Sequence, residues 1–412
     1  MQILYDNYFK NFENRKYHRY LEQLEQKSGT GYTISRVPLF LEPRLIQRLS
    51  AATDSLLRLL ASPAYQQETE AIPWSLPQHP MTTRDYFGCA DYYLTDEGPK
   101  LLEVNMGPAG RIALVELMEH LFCHHFSYPR ASSTSRSFNE RMVRAISENF
   151  THKRIAIAVS HLPSSRQHLT CYRYLEEILE SFGVHGKVVY ANEMDHRDGA
   201  FVHQGEKFDR IYNLVIPFVW DNHSEAFTRF QRLFQSHPDS FFPNPTGARL
   251  ATKALLPACM EADNPRYGLA LEDIEQIENI RLPAVRLSDY VSTKELLDAF
   301  GGEGQLVLKP IKDYGANGVL IKPDRETVKR IMNSQAEHYI AQAYCPAQKR
   351  PFLSATGERM TRMALVRLFF TDGRYSGMRG YLQEAHCDCN QFYIAPVLTA
   401  SAFRADEASS AI

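Results

Sequence analysis

Apolar residues recur at helical spacing through about the first 70 residues and then the period shortens. Tyr20-LEQLEQ and Pro43-RLIQRLSAATDSLLRLLAS carry the i, i+3, i+4 pattern of helices, the second opening on a proline suited to a first turn. Ala90 to Leu94 and Lys100 to Val104 read instead as two strands flanking the turn Thr95–Pro99, and residues 112–150 return to a helical pattern with LVELMEHLF as its core face. From 153 to about 245, buried-type strands (Arg154-IAIAVS, Lys187-VVYA, Arg210-IYNLVIP) alternate with helices (Thr170-CYRYLEEILESFG, Ser224-EAFTRFQRLFQS), with a hairpin at Phe201-VHQGEKF. That alternation predicts a small doubly wound α/β domain with a parallel sheet.

Further on, Lys253 falls inside a helix expected to begin near Gly247 after Asn244-Pro. Leu271–Ile277 and STKELLDAF, capped by Ser292 or Thr293, read as helices. Gln305–Pro323 reads as two strands, Leu306–Leu308 and Val319–Ile321, around a polar loop with Gly315 and Gly318. A helix capped by Asp324 and a strand at Tyr339-IAQAY follow, then two strands joined by Asp372-Gly373 and a last strand at Asn390-QFYIAPVLTA. The fold class expected is α/β with α+β elements. Four regions are expected: a helical scaffold with an early hairpin (1–150), the α/β substrate-type domain (151–245), a lid (246–345) and C-terminal core strands (346–412).

Composition narrows the picture. At 412 residues the chain suits several domains, and 44% apolar with 23% charged residues is the balance of a soluble globular protein. A net charge of −2 gives no basis for nucleic acid or an anionic membrane as partner, and no apolar run reaches transmembrane length. The N-terminus lacks the apolar stretch of a signal peptide, and seven cysteines without framework spacing suit reduced thiols, so a cytoplasmic protein is expected. No G-x-G-x-x-G follows the first strand of the α/β region, which weighs against a dinucleotide-binding oxidoreductase, and no G-x-S-x-G nucleophile elbow is present.

The candidate chemistry lies in a few short segments. Lys309 ends the first strand of the Gln305–Pro323 hairpin and Asp313 follows in its loop. Glycines let backbone N–H groups approach phosphate oxygens, a lysine adds a point charge, and an aspartate can bind the accompanying magnesium. A solvated hairpin with Lys and Asp at its turn accounts for the same residues taken alone. Glu103 and Asn105 lie two apart on a strand and so share a face, a pairing suited to a hard cation or simply to a polar strand face. Arg84 can grip a carboxylate or face solvent. Cys123-His124-His125 and His386-Cys-Asp-Cys389 lack the paired, regular spacing of a structural zinc site.

In their order, these segments resemble the ATP-grasp superfamily. Arg84, Glu103-x-Asn105, Lys253, Lys309-Pro-Ile-Lys-Asp313 and Gly315-Ala-Asn317 follow one another with the E-x-N pair ahead of the lysines. This is similar to the circularly permuted arrangement of eukaryotic-type glutathione synthetase and, more loosely, glutathionylspermidine synthase. The resemblance implies an ATP-grasp fold with a β-hairpin lid, and an ATP- and Mg2+-dependent carboxylate–amine ligase working through an acyl phosphate. It implies Glu103, Asn105 and Asp313 as magnesium ligands, and Lys253 and Lys309 on the phosphates. The loop through Gly315, Asn317 and Gly318 would close over them, and Gln342 to Tyr344 would form the adenine hinge. Arg84 would bind the acceptor carboxylate, and Arg379, with Arg367 second, would stabilise the transferred phosphoryl group. Partners would be small-molecule carboxylates and amines, with a homodimer as the family's habit. Asp313 stands where that family has glutamate, the hinge lacks its acidic residue, and Gly107-Pro-Ala-Gly110 replaces substrate-binding serines, so the reaction carries over and the substrate does not. A catalytically silent ATP-binding protein and a phosphotransferase remain the alternatives.

Overall fold

The computed structural model describes residues 19, 21–23, 25, 33–72, 74, 79–107, 114–126, 133–162, 169–312, 317–353, 358–383 and 392–400. Two short strands, β1 (Thr33–Ile34) and β2 (Leu39–Leu41), precede the first long helix. They correct the expectation of helix throughout the first 70 residues: Pro38 biases Val37 out of the helical region, and the apolar run behind it is left extended. Helix α1 (Pro43–Ala61) starts on its proline as expected and buries Leu49, Leu56, Leu59 and Leu60 completely. Each such leucine contributes about 1.5–3 kcal/mol of burial. Helix α2 (Pro63–Glu70) follows, the Ser62 hydroxyl accepting from the Tyr65 N–H. The hairpin β3 (Gly88–Thr95) and β4 (Gly98–Met106) comes next, with helices α3 (Val115–His125) and α4 (Phe138–Ile146) behind it.

The middle of the chain alternates as its pattern predicts. Strand β5 (Arg154–Val159), helix α5 (Leu169–Ser181) and strand β6 (His185–Tyr190) lead to a separate antiparallel sheet of β7 (Asp195–Arg197), β8 (Ala200–His203) and β9 (Glu206–Phe208). Strand β10 (Arg210–Asn213), helix α6 (Ser224–Ser236) and strand β11 (Phe241–Phe242) complete the unit. The order β11-β10-β5-β6 is wholly parallel.

Two short helices follow, α7 (Gly247–Leu250) and α8 (Leu255–Met260), with Lys253 in the turn between them instead of inside a helix. The Lys253 N–H donates to the Ile311 carbonyl (3.1 Å), and Pro257 four residues on obstructs a continuous helix through Lys253. Helix α9 (Leu271–Ile280) packs on α1, where Asp273 accepts from Ser55 (2.8 Å) and Arg58 Nε (2.7 Å). Then come β12 (Ala284–Arg286), α10 (Thr293–Ala299), β13 (Leu306–Pro310), β14 (Leu320–Ile321), α11 (Arg325–Gln335) and β15 (Tyr339–Ala343). The strands form an antiparallel sheet in the order β12-β15-β13-β14. Its core joins Leu306, Leu308 and Ala341 to Leu296 of α10 and Val328 of α11. Ser292 and Asp324 cap those helices as their positions predict.

The last strands, β16 (Lys349–Leu353), β17 (Arg359–Thr371), β18 (Arg374–Gln383) and β19 (Phe392–Thr399), return to the early hairpin. They form an eight-stranded sheet in the order β1-β19-β18-β17-β3-β4, with β16 beside β17 and β2 beside β19. One face of this central sheet packs on α1 and α9 through Tyr92, Val366 and Leu368, and the other on α3 and α4.

Helix α3 is fastened by a buried carboxylate. Glu119 accepts from the hydroxyls of Ser133, Thr134 (2.8 Å) and Ser135 (2.8 Å) and from the Ser135 N–H (3.0 Å). Thr134 and Ser135 also reach the carbonyls of Val397 on β19 and Met378 on β18. Burial pushes the Glu119 carboxyl up to about 7, against those hydrogen bonds. The folded chain therefore holds a proton there at pH values where the unfolded chain has released it. Stability from this group is present at acid pH and falls as pH rises from the ordinary carboxylate range through about 7, by up to about 1.4 kcal/mol per pH unit. In thermal melts between pH 5 and 8, Glu119→Gln should gain on the parent chain as pH rises to about 7 and level off above it. A melting-point difference constant across that range would contradict the assignment.

Candidate active site

Glu103 on β4 lies opposite Asp91 on β3, Asp91 opposite Arg367 on β17, and Arg367 opposite Arg379 on β18. Residues directly opposite in paired strands share a face, so these four side chains form one row across four strands, two acids followed by two guanidiniums. The row spans about 14 Å at ordinary strand spacing. On β3, β17 and β18 its neighbours on the same face form apolar clusters. Tyr93, Leu365 and Tyr381 on one side pack toward α3, and Cys89 and Phe369 on the other pack toward α4. Burial pushes the Cys89 thiol up to about 12, so it stays neutral and is no nucleophile.

Within the row, Arg367 and Asp91 form a bidentate pair, Nε to Oδ1 at 2.7 Å and NH2 to Oδ2 at 2.6 Å. Asp91 is 3% exposed, and its charge holds the Arg367 guanidinium protonated against the cost of burial. Arg379 is 1% exposed, donates to the Tyr381 hydroxyl and lies over the rings of Phe369 and Tyr381. The Arg367 side chain keeps 21% of its surface open and is the more accessible of the two arginines.

Glu103 connects this row to the second sheet. Burial alone would push its carboxyl up; the ammonium groups of Lys253 and Lys309, the Asn105 hydrogen bond (3.0 Å) and Arg367 outweigh that and bring it below the ordinary carboxylate value. Tyr92 pairs with Leu101 and Asp91 with Glu103, which leaves Leu102 as an extra residue in β4. Its carbonyl accepts from Lys309 Nζ (3.0 Å), and the adjacent Leu101 carbonyl accepts from Gln342 Nε2 (3.1 Å). Lys309 and Gln342 project from the same face of the second sheet, since Gln342 is paired with Val307. Residues 101–105, Lys253 and Lys309 thus converge although they are far apart in sequence, Lys309 lying 207 positions beyond Leu102.

The other expected residues are placed as follows. Asn317 and Gly318 form the turn before β14, where Gly318 has φ +67° and an added Cβ would lie 3.1 Å from both Pro310 and the Tyr339 hydroxyl. Asp313 and Gly315 lie outside the described residues, as does the His386–Cys389 cluster. Tyr344 follows β15 with its N–H on the Gln305 carbonyl (2.8 Å) and the Lys322 ammonium 4.0 Å from its ring centre. Arg84 stands apart at the β17–β18 turn end of the sheet, exposed and paired with Glu148 at 2.6 Å. Asp91 is the residue that sequence reasoning missed. It belongs to no motif, and only the β3–β17 register reveals its partner.

Among the described residues no group of three or more His, Cys, Asp or Glu side chains is arranged to hold a metal. Glu103 and Asn105 offer an ionised carboxylate and an amide, two hard oxygen donors beside two ammonium groups. That set fits magnesium, which protein sites typically hold through one or two carboxylates with phosphate oxygens supplying the rest.

No protein-family model and no curated relative matches the chain. Among solved structures, it is similar to a glutathione synthetase-like effector from Globodera pallida in its apo form, with a TM-score of 0.60 at 12% identity over 89% of this chain and 90% of that one. The chain has a glutathione synthetase-like fold. A second similar structure, from Methylobacillus flagellatus KT and provisionally named a gamma-glutamylcysteine synthetase, gives a TM-score of 0.44 at 10% identity over 85% of both chains. At these identities the likeness is one of fold, and the glutathione synthetase-like architecture here carries its own row of charges.

Lys309→Met removes one of the two ammonium groups that hold Glu103 ionised, so the carboxyl should regain a proton at higher pH than in the parent. The acid limb of Mn2+ binding in the presence of ADP should move upward in pH in this variant. An unchanged limb would mean that Lys309 does not act on Glu103.

Proposed function

We propose that the chain is an ATP-dependent carboxylate–amine ligase. The observation that carries this reading is the meeting of Glu103 and Asn105 with Lys253 and Lys309 at the junction of the two sheets. The glutathione synthetase-like fold supports it. Lys253 and Lys309 present positive charge to the ATP phosphates, and Glu103 and Asn105, with Asp313, hold magnesium. That ion supplies charge neutralisation at the phosphates when bound. The turn at Asn317 and Gly318 covers the phosphates, and Gln342 to Tyr344 meet the adenine. Arg367, with Arg379 behind it, faces the phosphoryl group in transfer, and Arg84, set apart beside Glu148, has no part in it.

In this reaction a carboxylate oxygen of the acid attacks the γ-phosphorus and ADP leaves, giving an acyl phosphate. The amine then attacks the acyl carbon, phosphate leaves, and the amine gives up a proton as the amide forms. Such chemistry rests on positioning and fixed charge instead of a protein nucleophile, which suits a site whose cysteine is a neutral, buried thiol.

A screen of ADP release against amino acids, dipeptides and polyamines, with mass analysis of condensed products, tests the reading. Release should require an acid and an amine together. Lys309→Ala and Glu103→Ala should each lower it at least about 100-fold with the fold retained by circular dichroism. Release with a single acceptor and a phosphorylated product would identify a phosphotransferase. Full turnover in either variant would refute the site.

A further inference from the structure

A buried ion pair is a costly way to fill a sheet face. Replacing one with apolar side chains of similar size is often neutral or stabilising, because two charges must be stripped of water to make it. The rungs on either side of Asp91–Arg367 are apolar, Tyr93 with Leu365 and Cys89 with Phe369, so an apolar pair would suit this rung as well. The order of charges along the row suggests what is gained. Arg367 is flanked by Arg379, which repels it, and by Asp91, which takes the Nε edge of its guanidinium through two parallel hydrogen bonds. The next carboxylate along the row is Glu103, two strands from Arg367 and about 10 Å away between Cα atoms. A guanidinium and a glutamate extended toward each other bridge such a gap.

We propose that Asp91 is a positioning residue that keeps Arg367 off Glu103, so that the Glu103 carboxylate stays available to a divalent cation carried by a nucleotide. Asp91 itself does not bind the ion; both its oxygens are committed to Arg367. This rests on Glu103 being a cation ligand, as proposed above, and adds a residue that no motif includes. Without Asp91, the strongest anion open to Arg367 is Glu103, and the arginine competes with the cation. With both Asp91 and Arg367 neutral, no competitor remains, and Glu103 keeps Lys253 and Lys309 beside it.

The test is Mn2+ binding in the presence of ADP, followed by electron paramagnetic resonance on the full chain, so that the readout is binding and not turnover. Asp91→Asn should weaken Mn2+ at least about tenfold, and the Asp91→Asn/Arg367→Gln double variant should return to within about threefold of the parent, since ADP lacks the phosphoryl group that Arg367 faces. Asp91→Asn leaves a guanidinium buried without its partner, so circular dichroism and melts accompany it. Should that variant not fold, the double variant decides alone: near-parental binding supports the proposal, and a tenfold loss overturns it. Parental binding by folded Asp91→Asn overturns it as well. Glu103→Gln separates the two levels. If it binds Mn2+ like the parent, the cation site and this inference fall together. If it loses binding while Asp91→Asn does not, only the inference falls.

Discussion

Leu102 has no counterpart where β4 pairs with β3, and Lys309 from another sheet supplies the partner its carbonyl lacks. A carbonyl left without a partner in a partly buried place is unfavourable, so the lysine stabilises the bulge. Gln342 makes the same kind of contact one residue earlier, at Leu101. These two contacts fix where the second sheet sits on the first. They also fix how close the Lys309 ammonium stands to the Glu103 carboxylate. Helix α9, tied to α1 through Asp273, supports the same junction from the opposite face of the central sheet.

That geometry explains why charge can be concentrated here at bearable cost. Glu103 is offset by two ammonium groups and an amide, and Arg367 by Asp91 in a fork matching its own shape. Arg379 spreads its charge over two aromatic rings. The apolar clusters on either side exclude water and so strengthen each of these interactions. A fold can carry such a row only if the surrounding sheet is rigid, and β3 and the inner stretches of β17 and β18 are mostly buried.

Much of this was legible in the chain. The strands at Lys309, at Glu103 and through Arg154 announce themselves by β-branched and apolar runs, and Ser292 and Asp324 cap the helices they precede. Glu103, Asn105 and Lys309 could be singled out because their residue types suit phosphate and magnesium wherever the strands lie. Asp91 could not, since its meaning depends on standing opposite Arg367, 276 residues away, and register between distant strands leaves no local trace. The neighbours of Lys253 favour a helix through it. The Ile311 carbonyl draws off its N–H, and that is a tertiary effect. Strands β1 and β2 were too short for periodicity to speak, and Pro38 was the only cue.

The interleaving of the central sheet has a further consequence for how the chain is made. Its middle strands come from both ends, with β3 bonded to β17 and β1 to β19. On a ribosome the early hairpin must wait for some 260 more residues before its neighbour emerges, exposing an unpaired strand edge meanwhile. The parallel sheet between them needs no such delay, because β5, β6, β10 and β11 follow one another closely. The charged row can therefore assemble only after β17 and β18 are made, and a product truncated before them would lack the arginines that the acids of β3 and β4 meet.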